Sequence, residues 1–511
     1  MATPLSRDAT VAVVGAGTMG AGIAQVAAVA GHRVLLFDAR PGAAQTACRS
    51  LASTLDTLAA KGKLDADAAR TAAQRVTPVE TIGDCASAAL VIEAIVEDLD
   101  VKRALFAELE TVVGAEAILA SNTSSLSLTS LAAGLRHPQR VVGMHFFNPA
   151  PVLPLVEVVR GLVTRVEVAE TVHATAAAWG KTPVHATSTP GFIVNRCARP
   201  FYGEAWRLLN ERAASPATID AVMREAGGFR MGPFELMDLI GQDVNLAVTT
   251  SVWKAYHHDS RYTPSVAQRE LVDAGFHGRK TQRGIYDYAE GRARPEVATE
   301  ASQPAPGRVV VHGDTGPAQA LIERVAKAGL TIERAPAHPA FGAGAFGVDG
   351  AMMALTDGRT ATARANAAGL HDLVVFDLAG DYASCTRLAI ACADACADAA
   401  RDRATGMLQA AGIAVSRFDD VAGLAVMRTV AMLANEAADA VAQGVASARD
   451  VDIAMRKGVN YPRGPLAWAD AIGVARVREV LVNLRDHYGE ERYRVAPLIE
   501  RRRASGRPLA G

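Results

Sequence analysis

The sequence has few cysteines, almost no net charge and no long run that suits a membrane. Its six cysteines form no C-x-x-C pair, so we predict small core residues in a reducing compartment, with no disulfide framework and no metal site. Lysine and arginine total 53 against 54 for aspartate and glutamate, which leaves a net charge of −1. This balance gives no basic excess for nucleic acid and no charged block typical of a tail.

One uncharged stretch near the start resembles a secretion signal. Residues 11–31 carry no charge and contain Ala28-Val29-Ala30, which looks like a cleavage site. However, Asp8 offsets Arg7, so no positive leader precedes the stretch. It also contains four glycines that weaken a membrane helix: Gly15, Gly17, Gly20 and Gly22. A buried strand, a glycine turn and a packed helix explain the stretch better, so we expect a cytoplasmic protein with no membrane partner.

The chain is too long for one hydrophobic core, and at about 150 residues per domain we expect three or four domains. Apolar runs separated by helical patterns make roughly the first 185 residues typical of a doubly wound α/β domain. The predicted strands are Thr10–Val14, Val34–Phe37, Leu90–Ile92, Ile118–Ala120, Val141–His145 and Leu155–Val159. From Pro190 to about Tyr288, amphipathic helical patterns replace the strands.

The second half of the sequence repeats the first at one constant spacing, which we call the repeat offset. It superposes Gly191 on Gly423, Arg196 on Arg428, Glu204 on Glu436, Asp220 on Asp452, Met223 on Met455, Gly232-Pro233 on Gly464-Pro465, Asp238 on Asp470 and Gly241 on Gly473. No gap is needed, so the helical domain is duplicated. Val309–Val311 and Leu373–Phe376 indicate further strands between the copies, in an eroded α/β segment.

These patterns divide the chain into five predicted parts. They are an α/β domain at 1–188, a helical domain at 189–290, a linker at 291–307, a degenerate α/β segment at 308–418 and a second helical domain at 419–511. The linker is predicted because residues 292–306 are polar, contain proline and show no periodicity.

A glycine-rich turn follows the first predicted strand and opens a helix predicted at 21–30. In Gly15-Ala16-Gly17-Thr18-Met19-Gly20, the glycines allow a sharp turn, a close approach to a pyrophosphate and tight helix packing. Asp38 follows at the end of the next strand, where an acid accepts hydrogen bonds from the adenosine ribose and repels a 2′-phosphate. The pattern therefore favours NAD over NADP. A tight turn without a ligand is the alternative, and Arg40 weakens the preference for NAD slightly.

A histidine and a carboxylate mark two later strands. His145 ends one strand before Phe146-Phe147-Asn148-Pro149, and Glu157 interrupts the apolar run of the next. A carboxylate in an apolar strand must be paired, and a histidine held by such a carboxylate can act as a general base. Spacing alone leaves open whether the two side chains touch, and a lone histidine is usually a satisfied core or surface residue.

Other polar residues allow a structural interpretation beside a functional one. Residues 121–125, Ser-Asn-Thr-Ser-Ser, suit a loop that caps a helix as well as a site. Asn195, in a Pro-Gly-Phe-Ile-Val-Asn-Arg segment, could cap a helix or bridge domains. Lys61 and Lys63 are typical of solvated charges, and Glu93, Glu97 and Lys102 of a salt-bridged helix start.

Taken together, six segments make the chain resemble the 3-hydroxyacyl-CoA dehydrogenase family. They are GAGTMGAGIAQ, VIEAIVEDLDVK, SNTSSL, HFFNP followed by LVEV, PGFIVNR and MGPFELMDLIG, which cover roughly residues 8–288 in the family's order. The resemblance implies a Rossmann-like NAD-binding domain followed by an all-α domain, with a duplicated, degenerate second half. The two-copy layout is similar to bacterial members that act on 3-hydroxyadipyl-CoA in phenylacetate degradation or on 3-hydroxybutyryl-CoA.

The resemblance also implies roles for individual residues. His145 matches the general base and Glu157 its orienting partner, while Ser124 and Asn195 match contacts to the substrate oxygen. The matching cofactor contacts are Gly15, Gly17, Thr18, Met19, Gly20, Asp38, Glu97, Lys102 and Asn122. Lys61 and Lys63 loosely match the insert that meets the coenzyme A phosphates. The expected partner is an acyl-CoA, oxidised as His145 takes the 3-hydroxyl proton and the nicotinamide takes the hydride.

The second copy departs from this pattern, so we expect one catalytic site per chain. Gly313-Asp314-Thr315-Gly316 lacks the three-glycine spacing, and the repeat offset places Met427 where the first copy has Asn195. We expect the two helical copies to pack together, with a homo-oligomer left open. The alternatives are a dehydrogenase of a sugar acid such as gulonate and a non-catalytic dinucleotide-binding protein. Intact His145, Glu157, Ser124 and Asn195 argue against the latter.

Overall fold

The computed structural model describes residues 3–293 and 295–511. These residues form two compact units, which the chain enters more than once. The described residues of 1–196 and 443–459 form the first unit, and those of 197–442 and 460–511 form the second. Within the described ranges, no helix is both long enough and apolar enough to cross a membrane.

The chain has 15 strands in its described part. In chain order they are β1 Thr10–Val14, β2 Val34–Phe37, β3 Val76–Val79, β4 Ala88–Glu93, β5 Ile118–Ser121, β6 Val141–Phe146, β7 Leu155–Arg160, β8 Thr182–Thr187, β9 Arg308–His312, β10 Thr331–Ala335, β11 Ala345–Val348, β12 Ala351–Leu355, β13 Leu373–Phe376, β14 Arg387–Cys392 and β15 Ala414–Arg417.

The same part of the chain has 20 α-helices. They are α1 Thr18–Val29, α2 Ala43–Ala60, α3 Ala66–Gln74, α4 Leu99–Val112, α5 Leu128–Ala132, α6 Val166–Ala178, α7 Val194–Cys197, α8 Arg199–Asn210, α9 Pro216–Glu225, α10 Pro233–Ile240, α11 Gln242–Ala255, α12 Val266–Asp273, α13 Gln319–Lys327, α14 Ala361–Ala368, α15 Asp398–Ala410, α16 Val426–Ala442, α17 Ala448–Gly458, α18 Pro465–Ile472, α19 Val474–Tyr488 and α20 Pro497–Ser505. Short 3₁₀ turns lie at Ile82–Ser87, Pro138–Arg140, Ser260–Tyr262, Arg279–Thr281, Gly316–Ala318 and Glu491–Tyr493.

The first unit is built on an eight-stranded sheet in the order β3-β2-β1-β4-β5-β6-β7-β8. Neighbouring strands from β3 to β6 pair in parallel, whereas β7 pairs antiparallel with β6. Residues 147–154 connect β6 to β7, and this is too short for the crossover that a parallel pair needs. The doubly wound sheet predicted from the sequence is confirmed, but its last two strands run in the opposite direction.

The core of this unit lies between the sheet and its helices. Because both faces of the sheet are covered, its central strands are continuous apolar runs rather than alternating ones. Val11, Ile92 and Val142 are completely buried in the sheet, and Ile23 and Ala27 of α1 pack in the same core. This packing fixes the carboxyl ends of β1, β4, β5 and β6, which is where the candidate site lies.

The second unit contains a seven-stranded sheet in the order β10-β9-β11-β12-β13-β14-β15. Its strands are mixed in direction, with β11 antiparallel to both β9 and β12. The eroded α/β segment predicted from two strands is therefore a complete sheet. Five of its strands were not predicted from the sequence, namely β10, β11, β12, β14 and β15.

Buried ion pairs join the two helical copies within the second unit. Glu204 of α8 accepts hydrogen bonds from the Tyr493 hydroxyl at 2.9 Å and from Arg428 at 2.7 Å, and it pairs with Arg492. Glu436, its counterpart at the repeat offset, pairs with Arg261 at 3.2 Å and accepts from the Tyr262 hydroxyl at 2.6 Å. Each copy's glutamate is thus held by an arginine and a tyrosine of the other copy.

Candidate active site

The glycine turn forms an open cradle at the start of α1. Gly15 has φ of +106°, a conformation that a side chain would strain, and a Cβ on Gly20 would lie 1.7 Å from the Gly15 carbonyl oxygen. A Cβ on Gly17 would meet nothing within 4 Å, so the space beside this residue is open. No side chain caps α1 and no acid lies in its first turn, so its amino terminus can receive a phosphate.

Asp38 lies beside this turn at the carboxyl end of β2. One of its oxygens accepts the Ala16 N–H at 2.8 Å, and the other accepts the Arg40 backbone N–H at 2.9 Å. Partial burial raises the pKa of Asp38, but the hydrogen bonds from Arg40 and Ala16 outweigh it and lower the pKa to about 2. The carboxylate is therefore charged at physiological pH and suits ribose hydroxyls better than a 2′-phosphate.

A buried ion cluster follows β4. The Lys102 ammonium lies 2.5 Å from Glu93 and 3.3 Å from Glu97, and Lys102 and Glu93 are both buried. Glu93 also accepts the Ser121 hydroxyl at 2.6 Å. These contacts match the salt-bridged helix start that the sequence allowed, and Lys102 reaches into this cluster rather than into solvent.

Glu97 organises the polar loop after β5. Its Oε1 accepts the Thr123 hydroxyl at 2.6 Å and the Ser124 N–H at 2.9 Å, so one carboxylate fixes the loop. The pKa of Glu97 is lowered, because these hydrogen bonds and Lys102 outweigh desolvation. Asn122 ties the same loop to the next strand, since its Oδ1 accepts the Phe146 N–H at 2.8 Å.

His145 and Glu157 face each other across β6 and β7, where they are direct register partners. His145 Nδ1 lies 2.6 Å from Glu157 Oε2, and Glu157 is completely buried. The Phe147 and Phe192 rings pack against the imidazole with centroid distances of 4.5 and 5.9 Å. Among the described residues, no hydrogen bond engages His145 Nε2. The sequence left this contact open, and the structure brings the two side chains together.

Glu157 has a second set of partners. Its Oε1 accepts the backbone N–H groups of Ile193 and Val194, each at 3.0 Å. These groups precede Asn195 in α7, and Asn195 Nδ2 donates to the Ser124 carbonyl at 3.5 Å. One carboxylate therefore positions both the imidazole and the segment that carries Asn195, and all four predicted catalytic residues meet in the first unit.

Not every predicted residue joins this cluster. Lys61 and Lys63 are exposed after the end of α2, with no recorded contact to the residues above. Sequence reasoning also missed three contributors, namely Phe147, Phe192 and the N–H groups of residues 193 and 194. The sequence did carry a turn signal there, Pro190-Gly191. In the structure Gly191 and Phe192 have φ of +76° and +45°, directly before α7.

Comparison with known proteins gives consistent matches over most of the chain. The model of the 3-hydroxyacyl-CoA dehydrogenase NAD-binding domain matches residues 10–189, and that of the family's C-terminal domain matches 191–288 and 423–508. The model of a 3-hydroxybutyryl-CoA dehydrogenase reduced Rossmann-fold domain matches 353–421.

Individual relatives support the same family. The chain is 44% identical to 3-hydroxyadipyl-CoA dehydrogenase of Escherichia coli strain K12, over 96% of this chain and 97% of the relative. It is 43% identical to a probable 3-hydroxybutyryl-CoA dehydrogenase of Bacillus subtilis strain 168, over 54% of this chain and 96% of the relative. A crystal structure of 3-hydroxybutyryl-CoA dehydrogenase from Escherichia coli K12 matches with a TM-score of 0.89 and 43% identity, over 98% of this chain and 100% of that one.

Proposed function

This chain belongs to the 3-hydroxyacyl-CoA dehydrogenase family and oxidises 3-hydroxyacyl-CoA thioesters with NAD, and we propose that His145 and Glu157 form its one catalytic centre. The observation that carries the proposal is the 2.6 Å contact between His145 Nδ1 and Glu157, which leaves Nε2 available. The sugar-acid and non-catalytic alternatives find no support among the relatives described above.

In the proposed mechanism His145 Nε2 takes the proton of the substrate's 3-hydroxyl. Glu157 accepts a hydrogen bond from Nδ1–H, so it holds the tautomer in which Nε2 is basic and stabilises the imidazolium that forms. Packing against Phe147 and Phe192 removes water from the imidazole and strengthens this electrostatic pairing. In the reverse direction the imidazolium returns the proton to the developing alkoxide.

The glycine turn of residues 15–20, the amino terminus of α1 and Asp38 fit a dinucleotide by their openness, their free N–H groups and their charge. When bound there, NAD supplies the hydride acceptor. We assign the further cofactor contacts to Thr18, Met19, Glu97, Lys102 and Asn122. For Glu97 and Lys102 the contribution includes holding the loop of residues 122–125 in place.

Ser124 and Asn195 are proposed to contact the substrate oxygen that changes charge during the reaction. The Ser124 backbone is held by Glu97 and the Asn195 side chain by the Ser124 carbonyl, so both are preorganised. Lys61 and Lys63 are proposed to attract the coenzyme A phosphates, because they are exposed cations on the same unit.

We propose either 3-hydroxyadipyl-CoA or 3-hydroxybutyryl-CoA as the physiological substrate, since the Escherichia coli relatives described above, which match nearly the whole chain, carry these names. The five-part division at 1–188, 189–290, 291–307, 308–418 and 419–511 remains our proposal for the domains. We also propose a cytoplasmic location, because the proposed substrate and cofactor, acyl-CoA and NAD, are both found in that compartment.

The test is the consumption of NADH with acetoacetyl-CoA and, separately, with free acetoacetate. We expect oxidation with the thioester only, and His145→Gln should abolish most of it while circular dichroism shows an unchanged fold. Equal rates with the free acid would contradict the proposed recognition of coenzyme A. Wild-type turnover by His145→Gln would overturn the role of His145.

A further inference from the structure

Residues 443–459 belong to the second helical copy in sequence but to the first unit in space. We name them the covering segment. Their helix, α17, packs on β7 and β8 of the first sheet. The mechanism above gives this segment no role, although β7 carries Glu157, the carboxylate that holds His145.

The same exchange of a helix occurs in the second unit, in the opposite direction. α9 and α17 begin one repeat offset apart, as do β7 and β14, and α9 packs on β14 as α17 packs on β7. Each helical copy therefore covers a strand that belongs to the other half of the chain. Because only the first sheet carries His145 and Glu157, only the contact of α17 lies against the catalytic centre.

Gly458, the last residue of α17, lies closer to its neighbours than a side chain would allow. A Cβ at this position would lie 2.6 Å from Leu155 Cδ2 and 3.1 Å from Val194 Cγ2, so an added methyl group would displace them. Gly458 is not among the residues with positive φ, so its backbone would accept an alanine, which is the better helix former. Its counterpart at the repeat offset is Ala226. The close packing, rather than the helix, therefore requires the glycine.

The two residues that Gly458 touches are neighbours of Glu157. Side chains two residues apart on a strand point to the same face, so Leu155 lies beside Glu157 on β7. Val194 donates its backbone N–H to Glu157 Oε1 at 3.0 Å, as Ile193 does. All four residues are buried, and a close-packed interior passes a displacement on to its neighbours. The position of α17 therefore affects the position of the carboxylate.

The covering segment also contacts α7, the short helix that carries Asn195. The Arg196 guanidinium donates to Gln443 Oε1 at 2.9 Å. The repeat offset superposes Arg196 on Arg428 and Glu211 on Gln443, and in the second unit Arg428 donates to Glu211 at 2.9 Å as well. The contact is thus one of a matched pair, and the residue next to Asn195 is held by the covering segment.

We propose that the covering segment positions the catalytic centre, with Gly458 fixing the place of Glu157 and Gln443 that of Asn195. Neither positioning residue touches the substrate or NAD. The inference rests on the proposed function, because it assumes the catalytic roles of Glu157 and Asn195. It makes the second helical copy, to which we assign no catalytic residue, necessary for full turnover at the first.

The experiment adds one methyl group to the full-length protein. For Gly458→Ala we expect kcat with acetoacetyl-CoA and NADH to fall about 10-fold, because a misplacement of roughly 1 Å can cost about 10²-fold. The KM for NADH and its Kd, measured by NADH fluorescence, should stay unchanged, since the glycine turn lies at β1. Gly203→Ala makes the same change within α8, where a Cβ would meet nothing within 4 Å, and should alter none of these values.

A second substitution tests whether the effect is local. Leu155→Val removes the Cδ2 atom that the new methyl group would meet, so combining it with Gly458→Ala should recover most of kcat. If Gly458→Ala does not fold, Gln443→Met takes its place. Gln443 is exposed, and its loss should lower kcat a few-fold with an unchanged KM for NADH.

Amide hydrogen exchange tests the positioning without turnover. Gly458→Ala should speed the exchange of the Ile193 and Val194 N–H groups, which donate to Glu157, whereas Gly203→Ala should not.

Wild-type kcat in Gly458→Ala, or in Gln443→Met where that variant replaces it, would overturn the inference. So would a fall in kcat that comes with equally weakened NADH binding, or one that Leu155→Val does not relieve, because either indicates general damage. If the wild type does not turn over acetoacetyl-CoA, the proposed function is refuted instead. Unchanged exchange at residues 193 and 194 would then still overturn the positioning of Glu157.

Discussion

The two α/β parts of the chain preserve the same framework but hold different residues at its centre. β6, β7, α6 and β8 begin at residues 141, 155, 166 and 182, and β13, β14, α15 and β15 begin at 373, 387, 398 and 414. Each element of the first set begins one repeat offset before its counterpart in the second set, just as Gly191 precedes Gly423. The duplication therefore extends back to residue 141 without a gap, although few identical residues remain to show it.

At the repeat offset Asp377 takes the place of His145, and Ala389 takes the place of Glu157. Asp377 is completely buried and accepts the N–H groups of Ala425, Val426 and Met427 at 2.7–2.9 Å. In the first copy Glu157 accepts the equivalent N–H groups, those of residues 193 and 194, and also holds His145. The comparison separates two roles of one carboxylate. Holding the turn before the helix is kept in both copies, whereas orienting a histidine belongs only to the first.

The largest expected effect comes from removing the histidine. His145→Gln should reduce kcat about 10²- to 10⁴-fold, the usual contribution of a general base, with little loss of stability. Asp377→Asn, at the equivalent position, should leave kcat unchanged per folded molecule. The measurement is NADH oxidation with acetoacetyl-CoA. A comparable fall in both variants would show that the second copy contributes to catalysis.

Breaking the ion pairs that join the two helical copies tests whether each copy needs the other for its stability. Arg428→Met leaves Glu204 and Glu211 buried or half-buried without their main cation, which should cost about 3–5 kcal/mol in the free energy of unfolding. Arg485→Met removes an exposed pair with Asp486 and should cost about 1 kcal/mol or less. Urea unfolding measures both, and equal costs would contradict a buried, shared network.

The two roles of Glu157 can be separated by two substitutions. Glu157→Gln keeps an oxygen for the N–H groups of residues 193 and 194, so it should lower kcat about 10- to 100-fold with little loss of stability. Glu157→Ala leaves these buried N–H groups without an acceptor and should also cost about 2–4 kcal/mol of stability. Thermal unfolding and turnover, measured on both variants, check the difference. If the glutamine variant were as unstable as the alanine variant, the capping role would be wrong.

The pH dependence of stability should reveal the raised pKa of Asp377, the carboxylate of the second copy. Burial raises the pKa of Asp377 to about 6, against an ordinary 3.8, despite hydrogen bonds from Met427 and Val426. A raised carboxyl pKa favours the folded state at low pH, and this contribution is lost as pH rises from about 4 to 6. Relative to Asp377→Asn, the wild type should therefore lose about 3 kcal/mol over that range. Parallel curves of unfolding free energy against pH would refute the shift.

Much of the fold could be predicted because its strands are buried and apolar. β1 and β2 have the predicted bounds, and α1 begins at Thr18 rather than 21 because the glycine turn itself supplies its first residues. The missed strands β3 and β8 contain polar residues and proline, as in Val76-Thr77-Pro78-Val79, so periodicity could not mark them. The antiparallel β7 was signalled only by the short connection before it.

The sequence identified individual residues of the candidate site but not the contacts between them. The motifs named His145, Glu157, Ser124 and Asn195, yet only the register of β6 and β7 brings the first two into contact. Backbone groups leave no mark in a sequence, which is why the N–H donors to Glu157 were missed.

The first unit has a consequence for how the protein is made. Its sheet ends at β8, whose Thr187 N–H donates to the Val445 carbonyl, and α17 packs on β7 and β8. The chain supplies this cover from residues 443–459, long after residue 196, where the rest of the unit ends. During synthesis the eight strands of this sheet therefore emerge long before the segment that covers β8, and the first unit cannot be completed until residues 443–459 have been made.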